Sequence, residues 1–330
     1  MDIGKLVFNL TLIYRISALT ELFPAIKTRK STSNLLRPSI VITSLLFILI
    51  LGSFSSAATS ASAGKKPAIN PVRYTFSVIP FYSPEKIWTL YSPFIDYLNK
   101  TTGESWELKL YHNHDELIED ICNGRVSAAL LGPAPLGRAN HKCGAKPILA
   151  ALGDDGKPSY RSVILTNLPS VTTLKDLKGK KIGFFKGSTA AHIIPAKMLK
   201  DSGVRMSAIQ PVFLENQGRI MSALLSGEVA AAGVKENLAK RFSQQHLKVV
   251  AVSASLPNFA LCATPSLPLT VQQHLISMLT RLKPLTSGKD TETTKIWDDE
   301  IKNGFMVPDK DFLPSVMMIF EIFKEIQNEN

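Results

Sequence analysis

Lys186-Gly187-Ser188-Thr189-Ala190-Ala191-His192 is the segment of this 330-residue chain richest in groups that can do chemistry. It follows Lys181-Ile-Gly-Phe-Phe185, which reads as a strand, and Ser188 stands where a helix would open. The glycine lets backbone come close to a small group. Unpaired N–H groups and the positive end of a helix favour an anion there. Two hydroxyls can donate to phosphoryl or carboxylate oxygens. This is not a nucleotide-binding P-loop, because the G-x-x-x-x-G-K-[ST] spacing is absent. An ordinary serine N-cap would use the same residues, so the surroundings must decide. Pro195 also limits how regular the helix can be.

Other candidate chemistry is thinner. Tyr111-His112-Asn113-His114-Asp115 is the densest metal-like cluster, with His141 and Cys143 within reach in sequence. Two histidines in a loop without helical i, i+4 spacing are a poor zinc pattern, so a solvated loop and no metal are expected. Tyr82 and Tyr160 either line a cleft or pack in the core. Lys235-Glu236 is expected to be a surface ion pair, the alternative being contact with a charged ligand. No Gly-x-Ser-x-Gly, metalloprotease or paired-carboxylate pattern occurs. No nucleophile–base pair can be named, and neither a catalytic residue nor a cofactor is expected.

The elements that must position these residues alternate between strand and helix. Arg73–Pro80 reads as a strand, followed by Ser83-Pro84 as a helix start and apolar residues at helical spacing from Ile87 to Leu98. Trp106–Tyr111 is a strand, Asp115–Cys122 a helix closed by Asn123-Gly124, and Val126–Pro133 a buried strand. The pattern restarts with strands at 181–185, 211–214 and 229–234, and helices from Ser188 and over Arg219–Leu225. Two α/β units of parallel strands follow. Between and after them, Tyr160–Thr166 and Leu247–Ser253 are expected to pair as hinge strands. C-terminal helices near Val271–Leu285 and Asp311–Ile326 are expected to pack back on the first unit. Ligands of open parallel sheets sit beyond the carboxyl ends of the strands. That places candidate ligand loops at 80–83, 111–114, 132–136, 186–190, 215–217 and 234–237, which include Tyr82, Tyr111, Ala190 and Asn216.

Residues 39–63 combine a positive flank at Arg37, a 13-residue apolar run to Leu51 and a small-residue tail ending Ala61-Ser62-Ala63. These are the parts of a secretory signal peptide, and the run is short of the ~20 residues that span a bilayer. Cleavage before Gly64 is expected, giving an exported chain; the alternative is an uncleaved anchor. The 38 residues ahead of the run are unusual for such a leader. The chain carries 38 Lys and Arg against 27 Asp and Glu, and removing six basic and two acidic leader residues leaves a net charge of +7. Scattered basic residues without interleaved aromatics disfavour nucleic acid, and the positive balance favours anionic partners: lipid headgroups, polyanions or a small anionic solute. Of three cysteines, Cys122 and Cys143 can either bridge or stay buried as thiols, and Cys262 lies in an apolar strand.

Taken in order, several segments resemble the phosphate/phosphite/phosphonate substrate-binding proteins of ABC transporters. They are the opening strand with Pro80, Asn123-Gly124-Arg-Val126 into Leu130-Leu-Gly-Pro133, and Tyr160-Arg-Ser162-Val-Ile. Leu174–Phe184, Ser188-Thr189 with Pro195, and Ala223-Leu-Leu-Ser-Gly227-Glu-Val229 complete the set. The resemblance implies a type II periplasmic-binding-protein clamshell, α/β, with helices on both faces of two mainly parallel sheets. It implies a first lobe from 64–160 and 253–330, a second from 161–252 and a leader over 1–63. It also implies a periplasmic, monomeric protein that holds a small anionic ligand between the lobes for an inner-membrane ABC permease. Sensing through a membrane receptor, or an enzyme acting on a phosphorylated metabolite, are the alternatives. Ser188, Thr189, the Ala190 backbone, Tyr82, Tyr160, Ser162, Tyr111 and Asn216 are the expected ligand contacts. The family's ligand motif is degenerate here. Ala190-Ala191 replace Ser-Gly, Ala134-Pro135-Leu136 follow the Gly-Pro where an aromatic is common, Glu215-Asn216-Gln217 replace a Ser/Gly-His-Asp turn, and Ala230 replaces an Asp.

Overall fold

Burial deepens along the first strand, β1 (Arg73–Val78), from exposed Arg73 to fully covered Phe76, Ser77 and Val78. The computed structural model describes residues 72–328, so the leader, its apolar run and the cleavage site after Ala63 lie outside the described residues. Helix α1 (Pro84–Thr102) starts where Ser83 accepts from Lys86 N–H with Pro84 in the first turn, and ends at Gly103 with φ +75°. Ile87, Tyr91, Phe94, Ile95 and Leu98 form its buried stripe. There follow β2 (Ser105–Lys109), α2 (His114–Cys122), β3 (Ala128–Leu131), α3 (Pro133–Cys143), β4 (Lys146–Ala151) and the two-residue β5 (Ser159–Tyr160). The chain then builds β6 (Ser162–Thr166), β7 (Lys181–Phe184), α4 (Ile194–Asp201), β8 (Gln210–Phe213), α5 (Gln217–Leu225), β9 (Ala231–Lys235), α6 (Glu236–Arg241) and β10 (Lys248–Val252). It closes with β11 (Leu256–Pro257), β12 (Ala260–Ala263), α7 (Leu269–Arg281), α8 (Gly288–Thr294), β13 (Phe305–Met306) and α9 (Phe312–Gln327).

Two sheets result. The first has the order β13-β4-β12-β3-β1-β2, with β1 parallel to β2 and β3, and β12 antiparallel between β3 and β4. The second has the order β10-β6-β9-β7-β8, with β7 parallel to β8 and β9. β3 and β9 are buried along their whole length, which explains their near-continuous apolar sequence. Among the described residues no helix is long and apolar enough to cross a membrane.

The expected hinge pairing is corrected in its placement. β6 and β10 do pair, antiparallel, but as part of the second sheet, where β6 also pairs with β9. The short ladder outside both main sheets is β5 with β11, Tyr160 opposite Leu256 and Ser159 opposite Pro257. Val163, Ile164 and Leu165 give β6 the apolar surface of a sheet member, and all five of its residues are buried; the crossing falls to the residues just before it. The last helix also does more than expected. α9 packs on α3 of the first sheet and on α4 of the second, where Lys200 and Glu325 form an ion pair 2.6 Å apart.

Cys122 and Cys143 form a disulfide, with Cα atoms 5.3 Å apart. It ties the end of α2 to the end of α3, and Arg138–Asp115 and Lys142–Glu119 ion pairs join the same two helices. Cys262 is free and buried. Closing a loop of 21 residues restrains the unfolded chain by about 3 kcal/mol. Replacing both bridge cysteines by serine is therefore expected to lower stability by that amount in denaturant titrations. A double variant as stable as the parent protein would contradict it.

Candidate functional site

After β7 the chain turns through Phe185-Lys186-Gly187, with Gly187 at φ +77°, a conformation that favours glycine. Ser188 is extended, and its Oγ accepts from Ala191 N–H at 3.2 Å. Thr189–Ile193 form a π-type turn before α4 begins at Ile194. β9 runs so close beneath this turn that a Cβ at Gly233 would lie 2.3 Å from Pro195 Cγ. The glycine in the apolar run before Lys235 is thus a packing requirement.

Five of the eight expected contact residues gather around this turn. Thr189 Oγ1 accepts from Ala134 N–H at 2.8 Å, joining the start of α3 on the first sheet to the turn on the second. The Tyr160 side chain hydrogen-bonds Thr189, and burial pushes its phenol well above the usual range. Ser162 Oγ donates to Ala190 O at 2.7 Å. Ser188, Thr189, Ala190, Tyr160 and Ser162 are all buried, so the seam between the sheets is shut here. A further backbone bond, Gln217 N–H to Phe81 O at 3.2 Å, closes it on the next strand. The other three lie apart. Tyr82 accepts from Arg241 at 3.2 Å and carries the Lys86 ammonium 3.8 Å from its ring centroid. Tyr111 donates to Asp120 at 2.7 Å beside Lys109. Asn216 caps α5 by accepting from Arg219 N–H.

A cleft of about 600 Å³ opens on the other side of Tyr160, lined by Lys157, Arg161, Lys235, Asn258, Glu300 and neighbours. Lys235 corrects the sequence expectation. It is not half of a surface pair with Glu236, which instead meets Lys240 at 3.4 Å. It is the only buried Lys or Arg among the described residues, 3% exposed. Its ammonium pairs with Glu300 and donates to Asn258 Oδ1 at 2.8 Å. It also lies 4.5 Å from the Tyr160 ring centroid and 4.7 Å from that of Phe259. Its position follows from β9, whose buried run delivers residue 235 to the strand end. Nearby, Arg241 meets Asp299 at 3.0 Å. Burial and the adjacent Glu300 charge push the Asp298 carboxyl up to about 6, and it accepts from Tyr91.

On the opposite side of the turn is a second cavity of about 380 Å³, lined by His114, Arg138, Lys186 and Phe323 among others. The Lys186–Gly187 peptide is held between two buried imidazoles. His114, from α2, hydrogen-bonds the Lys186 backbone, and Gly187 N–H donates to His192 Nδ1 at 3.2 Å. His114 packs on Phe185, and His192 on Phe184 and Phe213. Both Nε2 atoms are buried without a partner. Burial first, then Arg138 for His114 and Lys186 for His192, lowers both to about 4. The cluster does not assemble as one group: His141 lies on Phe320, and Cys143 is in the disulfide. Among the described residues no three His, Cys, Asp or Glu side chains could share a metal ion.

Sequence reasoning missed Asn258, Glu300 and Arg241, and put Lys235 at the surface. The one available signal was that Lys235 ends an uncharged strand run inside a candidate ligand loop.

A family model described as "ABC transporter, phosphonate, periplasmic substrate-binding protein" matches residues 76–311. Among solved structures, the chain is similar to a binding-protein component of an ABC phosphonate transporter from Pseudomonas aeruginosa. The TM-score is 0.68 at 16% identity, over 79% of this chain and 90% of that one. PhnD1 from Prochlorococcus marinus, in complex with methylphosphonate, gives 0.67 at 14% identity over 78% and 99%. The alkanesulfonate-binding protein SsuA from Xanthomonas axonopodis pv. citri, bound to MOPS, gives 0.56 at 15% over 79% and 95%. These likenesses establish the type II periplasmic-binding-protein fold.

Proposed function

The chain belongs to the family of periplasmic substrate-binding proteins of phosphonate ABC transporters, and from that we propose that it captures a phosphonate-like anion in the seam between its sheets and delivers it to an inner-membrane permease. Membership implies a binding role rather than a catalytic one. Residues 64–160 with 253–330 act as one lobe and 161–252 as the other, moving about the β5–β11 ladder. The signal peptide over 39–63 is removed and the mature monomer begins at Gly64. Intact-mass measurement of exported protein checks this, and a chain retaining Ile40–Leu51 overturns it.

The observation that carries the anion is the meeting of two helix starts. Ala134 N–H at the head of α3 and Thr189 at the head of the turn into α4 face each other 2.8 Å apart. Each brings the positive end of its backbone to the same point. In the closed seam the two ends satisfy one another. Opening releases an N–H and two hydroxyls, and a phosphonate carries three oxygens to accept them. Tyr160 separates this point from the 600 Å³ cleft, so a swing of its ring joins the two.

Thr189→Ala is the direct probe, because Ser188 also serves as a cap. A hydrogen bond to a charged group contributes roughly 1.5–3 kcal/mol, so methylphosphonate should bind the variant about ten- to a hundredfold more weakly in calorimetric titration. Equal affinity in a folded variant would place the ligand elsewhere.

A further inference from the structure

The shell around the Lys235 ammonium has the makeup of a receptor for cations. It offers two aromatic faces, Tyr160 and Phe259, with centroids 4.5 and 4.7 Å away, and such faces attract an ammonium within about 6 Å. It offers an amide oxygen, Asn258 Oδ1, and a carboxylate, Glu300. The shell is also fixed in place. Asn258 Oδ1 accepts from Phe259 N–H at 2.9 Å, and Asn258 Nδ2 donates to Ala151 O at 3.0 Å. Phe259 packs edge-on against Phe81. Every member of the shell belongs to the first-sheet side or to the β5–β11 ladder, whereas Lys235 arrives from the end of β9 in the second sheet. Receptor and occupant therefore come from opposite sides of the seam.

We propose that Lys235 fills this ammonium cage as a built-in occupant, so that the protein selects anions carrying no amino group. This rests on the seam being the ligand site. A ligand amine would have to displace a tethered ammonium, which competes at the high effective concentration of an intramolecular group. It therefore gains nothing from the cage. An alkylphosphonate or phosphite, which asks nothing of the cage, leaves Lys235 seated. Removing the Lys235 side chain leaves the aromatic faces, amide and carboxylate able to accept an external ammonium.

Two measurements separate this inference from the proposed function. Propylammonium chloride should raise the melting temperature of Lys235→Ala by several degrees and leave the parent protein unmoved. Adding Glu300→Gln to Lys235→Ala should abolish that rise. If Lys235→Ala does not fold alone, its recovery by propylammonium is the same readout. An absent rise or recovery overturns the cage. In calorimetry, the parent protein should bind methylphosphonate at least as tightly as aminomethylphosphonate, and Lys235→Ala should shift the preference towards the amino compound by about tenfold. An unchanged preference overturns the selection. Failure of the parent protein to bind any of these anions would instead defeat the phosphonate reading, while the propylammonium arm still decides the cage.

Discussion

Lys235→Met is expected to lower the unfolding free energy by about 3–5 kcal/mol, because it leaves the buried Glu300 carboxylate without its ion-pair partner. The side chains of the pair are 4% and 5% exposed, so solvent does little to screen either charge. Glu300 would retain only a long contact from Asn237 Nδ2 at 3.5 Å, next to an already crowded Asp298. The paired replacement should behave differently. Lys235→Met with Glu300→Leu removes both desolvated ions at once, and exchanging a buried pair for apolar groups is often neutral or stabilising. Most of the loss should therefore be recovered in the double variant. Denaturant titrations of the parent, the single and the double at pH 7 read this directly. Losses that simply add in the double would mean that the two residues do not depend on each other.

Acid should weaken the protein through His114 and His192. Each has its folded pKa lowered to about 4 from an ordinary 6.5. A lowered histidine pKa means that the neutral form is the one the fold prefers. Its contribution is complete above pH 6.5 and is lost as pH falls towards 4. At 1.36 kcal/mol per unit, the pair costs about 6 kcal/mol between pH 7 and pH 4. Asp298 acts in the other direction, since its pKa is raised to about 6 and protonation on the way down relieves it by about 2 kcal/mol. These three groups together should lower stability by about 4 kcal/mol over that range. The weak point is the Lys186–Gly187 peptide, where a protonated His192 can no longer accept from Gly187 N–H. Unfolding curves of the parent and of His114→Asn with His192→Gln at both pH values test the assignment. If the double variant keeps the parent's full pH dependence, the histidines are not its source.

Much of the fold could be read from the chain because burial leaves a mark on composition. Val126–Pro133 reads as a buried strand and Val229–Val234 as a strand, and they hold the interior strands Ala128–Leu131 and Ala231–Lys235. Ser83-Pro84 and Gly103 bracket the first helix as their backbone preferences require. The passage between the sheets was legible only to within a few residues, since pairing of 162–166 with 248–252 is equally consistent with a connector and with a sheet member. Lys235 was opaque for a different reason. Its partner in sequence is Glu236, but strand geometry turns successive residues to opposite sides, and Glu300 arrives from a distant loop. Ser188 and Thr189 follow a strand end, as the sequence suggests, and lie where the two sheets meet. That Thr189 would already be engaged by Ala134 depends on the approach of α3, which no local pattern encodes.

The bridge between Cys122 and Cys143 adds an order of events to this architecture. It joins the helix that carries His114 to the helix that carries Arg138 and, at its head, Ala134. Thiols are kept reduced where polypeptides are synthesised, and a disulfide persists in an oxidising compartment such as the periplasm. A newly made chain therefore lacks the covalent tie across one half of its binding seam. On the export proposed above, it is easier to unfold at the stage when it would still have to be threaded through a secretion channel. The tie would then lock after crossing, so the two helices reach their full rigidity only in an oxidising compartment.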